Sequence, residues 1–143
     1  VHRDSPPNSL YEIVVWVPLT KTYKTKNMYI LDKKQTSKIY KMVSGSIKKN
    51  KKINDIMENY YQFAFKKAKG FNLNFGEALV FWAPLVHCVE TNQEKASRWS
   101  LNFRYKNTFS PYGTKGFIDY FNVANESIVT KLAIEKQSEK ILS

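Results

Sequence analysis

The residue types best suited to chemistry are two histidines and a nearby carboxylate. His2 and Asp4 form a His-x-Asp pair, and His87, the other histidine, lies far downstream at the end of an apolar run. Two imidazoles and a carboxylate on one face of an octahedron leave three adjacent positions open, an arrangement that suits non-haem Fe(II). A His-x-Asp pair also arises often by chance, and His2 could simply be solvated. His2, Asp4 and His87 are therefore candidate metal ligands.

A row of polar residues follows His87. Ten residues separate His87 from Arg98, and Arg98-Trp99-Ser100 is an Arg-x-Ser motif. Alternation in a strand would place polar residues on one face and apolar residues on the other. The polar face holds Arg98, Ser100, Asn102 and Arg104, and the apolar face, which we expect to be buried, holds Trp99, Leu101, Phe103 and Tyr105. The polar face either meets water or lines a ligand cavity inside a closed jelly roll.

Short strands dominate the pattern that must position these residues. β-branched and aromatic runs predict strands over 11–17, 28–31, 78–82, 86–89 and 98–106, and alternating runs predict strands over 62–65 and 71–75. Residues 32–37 have a turn-like composition. Apolar spacing predicts one amphipathic helix within 46–61 and a terminal helix within 126–141. These elements indicate a sandwich, a jelly roll or a barrel.

Taken together, the spaced motifs resemble the Fe(II)/2-oxoglutarate-dependent oxygenases. The shared pattern is His-x-Asp, a long gap, a distal His and then Arg-x-Ser about ten residues on. The context is similar to the phytanoyl-CoA dioxygenase-like branch, closest to oxygenases found sporadically in carbohydrate-biosynthesis gene clusters. The likeness spans residues 2–121 and is carried by the segments 2–5, 8–19, 23–28, 76–81, 85–87, 98–100 and 109–113. It implies an all-β core, a double-stranded β-helix (jelly roll, cupin-like) with an inserted helix and a C-terminal helix.

The resemblance also implies roles for individual residues. His2, Asp4 and His87 would ligate Fe(II). Arg98 would bind the distal carboxylate of 2-oxoglutarate through its planar fork, and Ser100 could donate a second hydrogen bond. The implied activity couples decarboxylation of 2-oxoglutarate to succinate with O₂-dependent hydroxylation of a small organic substrate. That substrate would be a sugar-linked metabolite of surface-polysaccharide biosynthesis or, as the alternative, a lipid or acyl thioester.

Four further residues are candidates for the substrate pocket, each with a more ordinary alternative. They are Trp16, Thr25, Asn102 and Arg104. Trp16 lies in a predicted buried strand and would usually be core, and Thr25 would usually be a turn residue. Arg104 could equally form a salt bridge at the rim. Glu12, also inside a buried strand, needs a partner such as an arginine.

The basic charge is concentrated in one segment. Residues 21–69 hold fourteen lysines and three acids, a net charge of +11, so the rest of the chain is neutral overall. Such a block could bind nucleic acid, an anionic membrane surface or a phosphate-bearing substrate, although a solvated lysine face is the ordinary explanation. No nucleic-acid motif accompanies it, and the whole chain has only three arginines. We therefore expect no nucleic-acid partner.

Length and composition limit the class of protein. A chain of 143 residues, 43% of them hydrophobic, predicts one folded domain over 1–143. The resemblance implies that the N-terminal part of the family's domain is missing, which puts the activity of this chain in question and exposes an edge that favours homo-oligomers. Cys88 alone cannot form an intrachain disulfide, and no apolar run approaches the ~20 residues of a membrane span. We expect a reduced, cytoplasmic protein.

A second class of function fits the same residues. A jelly roll without metal would be a catalytically inactive binding module that holds an anionic ligand on its polar face. Metal dependence separates the two classes, because such a module should be indifferent to loss of His2 or His87.

Overall fold

The structure, a computed structural model, describes residues 1–5, 8–113 and 124–139. In that part of the chain it contains six strands and three helices. The strands are β1 (Ile13–Pro18), β2 (Met28–Ile30), β3 (Lys69–Phe71), β4 (Leu79–Trp82), β5 (His87–Val89) and β6 (Ser100–Tyr105). The helices are α1 (Lys33–Lys48), α2 (Ile53–Lys67) and α3 (Ile128–Glu139), and a short 3₁₀ turn spans Lys24–Lys26. The fold is therefore a mixture of sheet and helix and not the expected all-β core, with one more helix than the inserted helix and the C-terminal helix predicted from the sequence.

The strands form two antiparallel three-stranded sheets, in the orders β4-β1-β6 and β3-β2-β5. The main apolar core lies between them because both sheets contribute side chains to it. Its buried members are Val14, Trp16, Met28, Ile30, Phe81 and Ala83. The predicted strands near β1, β2, β4, β5 and β6 are confirmed. Among the described residues the two sheets share no strand pair.

The segment between β2 and β3 is a helical hairpin: the helix predicted within 46–61 is confirmed as part of α2, whereas the turn predicted at 32–37 and the strand predicted at 62–65 are wrong. Asp32 begins α1 with a capping box, in which its carboxylate accepts from the Gln35 amide and the Gln35 side chain accepts from the Asp32 amide. The run 62–65, predicted as a strand, lies inside α2. This run is helical and not a strand because Tyr60, Phe63 and Ala64, at helical spacing, pack in a second core. That core lies between the two helices and residues beside β2 and β5.

The outer face of the β4-β1-β6 sheet contradicts the expected burial of β6. Trp99 is 67% exposed, and all six residues of β6 are exposed. Paired residues share a face of the sheet, so the apolar side of β6 continues across its neighbours, away from the core. The exposed apolar side chains there are Ile13, Val80, Trp82, Leu101, Phe103 and Tyr105. The alternating sequence correctly predicts which residues of β6 share a face. The core, however, lies on the polar side of the sheet and not on the apolar side.

The lysine block lies largely on the hairpin surface. The ten lysines of α1, α2 and their connection are all exposed, as the solvated-face interpretation requires. In the described part of the chain no helix combines the length and apolar character needed to cross a bilayer.

We expect Asp32→Ala to lower the free energy of unfolding by about 1 kcal/mol, because it removes the N-cap acceptor of α1. Urea unfolding followed by circular dichroism measures this. Asp32→Asn is the control and should cost only a few tenths of a kcal/mol, since asparagine caps about as well. Equal losses in the two variants would mean that the carboxylate acts through its charge and not as a cap.

Candidate metal centre

The backbone brings the two histidines together although 85 positions separate them in the sequence. Two backbone hydrogen bonds join His2 to the edge of β5. The His2 amide donates to the His87 carbonyl, and the His87 amide donates to the His2 carbonyl, both at 2.9 Å. The amide of Asp4 then donates to the carbonyl of Ala83 at 3.3 Å. The first residues thus lie along the β5 edge and the segment before it. This pairing is what places His2, Asp4 and His87 side by side.

The three side chains form a compact donor cluster. One donor atom from each of His2, Asp4 and His87 lies within 4.8 Å of the others. Asp4 Oδ1 is 3.5 Å from His2 Nε2 and 3.8 Å from His87 Nε2. Adjacent ligands on one metal, each at about 2.1 Å, are about 3 Å apart. The two Asp4–histidine separations must therefore shorten by about 0.5–0.8 Å, and the widest separation, within 4.8 Å, by more, before the cluster could hold an ion.

His87 is oriented by its neighbours. Its Nδ1 lies 2.9 Å from the Leu85 carbonyl oxygen, which fits an Nδ1–H donor and leaves Nε2 with its lone pair towards Asp4. The ring also packs edge-on against Phe81, with 5.0 Å between centroids. Burial lowers the pKa of His87 below its ordinary value. The imidazole is therefore neutral at neutral pH, the form in which it binds metals.

Asp4 is held from its other side by Arg104. The guanidinium donates to Asp4 Oδ2 at 2.8 Å, and its Nε lies 3.8 Å from Glu12 Oε2. Burial alone would raise the pKa of Asp4, but hydrogen bonds with His2 and Arg104 hold it far below the usual range. Asp4 is therefore a carboxylate whose Oδ1 faces the histidines. The salt-bridge alternative for Arg104 is confirmed, and Arg104 is also the expected partner of Glu12.

The other polar residues of β6 lie along the inner face and lead away from the cluster. Arg104 pairs with Val14, Asn102 with Trp16 and Ser100 with Pro18. Successive positions on one face are about 7 Å apart, so Ser100 lies roughly 13 Å from Arg104 and Arg98 roughly 20 Å, measured between α-carbons. The structure does not bring Arg98 or Ser100 into the donor cluster. Both residues lie in the row of polar residues that begins at Arg104, beside the donor cluster.

Two of the pocket candidates have structural roles. Trp16 is 1% exposed and belongs to the core between the sheets. Thr25 Oγ1 donates to Glu94 Oε1 and accepts from the Gln93 amide, both at 3.0 Å, so it joins two loops. The structural alternatives, a core tryptophan and a loop threonine, therefore account for Trp16 and Thr25. Asn102 is exposed beside Trp16, on the polar row.

One residue that the sequence did not single out is Lys26. Its side chain is buried, which is unusual for lysine. No sequence signal marks this burial, because Lys26 lies in the 3₁₀ turn Lys24–Lys26, where the alternation of a strand does not apply.

Known proteins give no relative to set beside this site. No family model matches the chain, and no curated protein or solved structure matches it significantly. The resemblance to the oxygenases therefore rests on the sequence motifs alone.

Proposed function

We propose that the chain is an Fe(II)/2-oxoglutarate-dependent dioxygenase that hydroxylates a small organic substrate. The observation that carries the proposal is the convergence of His2, Asp4 and His87, with donor atoms within 4.8 Å of one another. Two neutral imidazoles and one carboxylate, with no thiolate, are a donor set that suits Fe(II). Cys88, the neighbour of His87, lies on the opposite face of β5 and is not part of the cluster.

The residues present fit the ion in orientation as well as in type. His87 Nε2 and Asp4 Oδ1 face each other and His2, because Leu85 and Arg104 contact the other atom of each side chain. His2 completes the set from the exposed side. A metal held by these residues with 2-oxoglutarate would supply O₂ activation, with one oxygen atom entering succinate as CO₂ leaves and the other entering the substrate as a hydroxyl group. Asp4 and His87 would hold it from the buried side, and His2 from the solvent side.

The fold supports the proposal in outline. We interpret the two facing sheets as parts of a jelly roll, in which the polar row of β6, exposed in this structure, lies on the same face of its sheet as the core residues of β1. Arg98 and Ser100 would then bind the distal carboxylate of 2-oxoglutarate, and Asn102 would lie nearest the substrate. A sugar-linked substrate and a cytoplasmic location are parts of this proposal taken from the resemblance.

The test is an anaerobic titration with Fe(II) and 2-oxoglutarate, followed by the visible charge-transfer absorbance of the chelate. A saturable band with one iron per chain supports the proposal, and succinate formation on admitting O₂ establishes the reaction class. A folded protein that binds 2-oxoglutarate with no band and no need of metal would instead be the anionic-ligand binding module.

Arg98→Gln is expected to raise the 2-oxoglutarate concentration that gives half the band by roughly tenfold or more, because a charge-assisted hydrogen bond is lost. Fe(II) affinity without 2-oxoglutarate should stay unchanged. Arg3→Gln is the matched control, since the Arg3 guanidinium stacks over the Tyr40 ring, 4.4 Å from its centroid. Equal effects in the two variants would refute the role of Arg98.

A further inference from the structure

The connection between α1 and α2 is an exposed hairpin tip, residues 47–54. All eight of its residues are exposed, and none of them belongs to either apolar core. The hairpin packs on the rest of the fold farther back, through residues such as Ile39, Tyr60 and Ala64. The tip therefore projects beyond the packed part of the hairpin.

The backbone of the tip is held in a tight turn. The Asn50 amide donates to the Ile47 carbonyl at 3.0 Å, and the Lys51 amide donates to the Ser46 carbonyl at 3.2 Å. Asn50 has a φ of 52°, in the left-handed region that asparagine adopts more readily than most residues. The side chains of the tip are thus presented on an ordered turn.

The tip combines charge of one sign with exposed apolar side chains. It holds four lysines and no acid, a net charge of +4, and in the described part of the chain none of the four forms an ion pair. Ile47 and Ile53, directly on either side of the lysine run, are 57% and 64% exposed. Solvation accounts for exposed lysines, whereas two isoleucines that flank them form an apolar surface within the basic one.

The apolar surface continues from the tip along one side of α2. Ile53, Met57 and Tyr61 are four residues apart and therefore neighbours on the helix surface, and all three are exposed. The acids Asp55 and Glu58 lie on a different side of α2, because their positions do not follow this spacing. The exposed apolar side of α2 is therefore bordered at the tip by lysines.

We propose that the hairpin tip binds an anionic lipid surface, with its lysines against the headgroups and Ile47 and Ile53 inserted between them. Clustered lysines are attracted to anionic lipids, and burial of apolar side chains at the headgroup boundary adds to that attraction. A nucleic acid would satisfy the charge, but it offers no apolar layer for the isoleucines. The proposal is independent of the metal centre and of the proposed function.

The test is sedimentation of the protein with vesicles of phosphatidylcholine and phosphatidylserine in a two-to-one ratio, compared with pure phosphatidylcholine. We expect binding to the mixed vesicles only. Replacing the four tip lysines with glutamine should lower the partition coefficient roughly 100-fold or more, since each lysine near an anionic surface contributes about fivefold. The lysines replaced are Lys48, Lys49, Lys51 and Lys52.

Four exposed lysines at the opposite end of the hairpin provide a control with the same change of net charge. Lys38 of α1 lies over the Phe63 ring of α2, 5.7 Å from Nζ to the centroid, so the helices are antiparallel and their far ends adjoin. Those ends are roughly 20 Å from the tip, more than a Debye length of about 10 Å. Glutamine there should leave the partition coefficient within about threefold. The control lysines are Lys33, Lys34, Lys66 and Lys67.

A second variant tests insertion separately from charge. Ile53→Ser should weaken vesicle binding roughly tenfold, because an apolar side chain no longer enters the headgroup layer. Ile128→Ser is its control: Ile128 is the first residue of α3, as Ile53 is of α2, and is 81% exposed. This control should bind as the unmodified protein does.

Three results would overturn the proposal. Equal losses in the two lysine variants would mean that overall charge, and not the tip, attracts the protein to the vesicles. Binding that Ile53→Ser leaves unchanged would mean a polyanion surface without insertion. Lysine-dependent binding of single-stranded RNA together with no binding to the mixed vesicles would assign the tip to nucleic acid. Because none of these measurements needs iron, they succeed or fail separately from the Fe(II) titration.

Discussion

Replacing either histidine with alanine is expected to weaken Fe(II) binding by about 100-fold or more. Loss of a group that only orients a metal ligand already costs about 10–100-fold, so loss of the donor itself should exceed that. His2→Ala is the cleaner variant, since its side chain is 62% exposed and the fold does not depend on it. His87→Ala also removes a buried ring that packs against Phe81. Anaerobic calorimetry with Fe(II) measures both affinities.

Cys88→Ala is the matched control for His87. The two residues are adjacent in β5, and a thiol is a competent metal ligand, but Cys88 points to the opposite face. Its substitution should leave Fe(II) affinity unchanged. If iron bound as tightly to both histidine variants as to the unmodified protein, the cluster would be a hydrogen-bonded network around Asp4 with no role in metal binding.

Most of the strands could be predicted from the sequence because their residues carry the signal locally. β1 is β-branched and aromatic on both faces, and β6 alternates without a break. Alternation gives the two faces of β6 but not which of them meets the core. That choice depends on pairing with β1, whose buried residues Val14 and Trp16 lie opposite Arg104 and Asn102. Pairing between two strands that are far apart in the sequence leaves no signal in the residues of either strand alone.

Only part of the helical hairpin could be predicted: the helix expected within 46–61 overlaps α2, whereas α1 and the last turns of α2 were not expected as helix. A polar run such as 32–37 has the composition of a turn, and only the side-chain bonds of the capping box turn it into a helix start. The run 62–65 fits a period of two as well as a helical period, because short apolar runs satisfy both. Packing against α1 and the residues beside β2 decides between them.

The donor cluster could be predicted, whereas its surroundings could not. His2 and His87 are the two histidines of the chain and match the family motif, so their convergence with Asp4 is what the resemblance implies. Arg104 and Lys26 belong to common types, and their importance comes from what they face. Arg104 is distinguished by the two buried carboxylates of Asp4 and Glu12 within its reach, and Lys26 by its burial in the turn before β2. These surroundings form only when the two sheets pack together.

Arg104→Gln is expected to lower the free energy of unfolding by about 2 kcal/mol in metal-free protein at pH 7. Breaking a fully buried ion pair costs 3–5 kcal/mol, and the 38% exposure of the Arg104 side chain reduces this to about 2 kcal/mol. The variant would leave Asp4 and Glu12 as buried carboxylates, and Glu12 Oε2 already lacks a hydrogen-bond partner. Urea unfolding measures the loss, with Arg3→Gln as the control.

A double-mutant cycle with Glu12→Gln separates charge pairing from packing. If Arg104 stabilises mainly by balancing two carboxylates, the double variant should lose less than the sum of the single variants, by about 1 kcal/mol. The effect should also depend on pH. The depressed pKa of Asp4 contributes stability above the unfolded value near 3.8, and this contribution is lost as the pH falls through the folded value. Without Arg104 the folded pKa rises, so the loss should begin at higher pH. Additive energies and an unchanged acid transition would mean that Arg104 stabilises the protein through its stem, and that His2 and His87 alone hold Asp4 ionised.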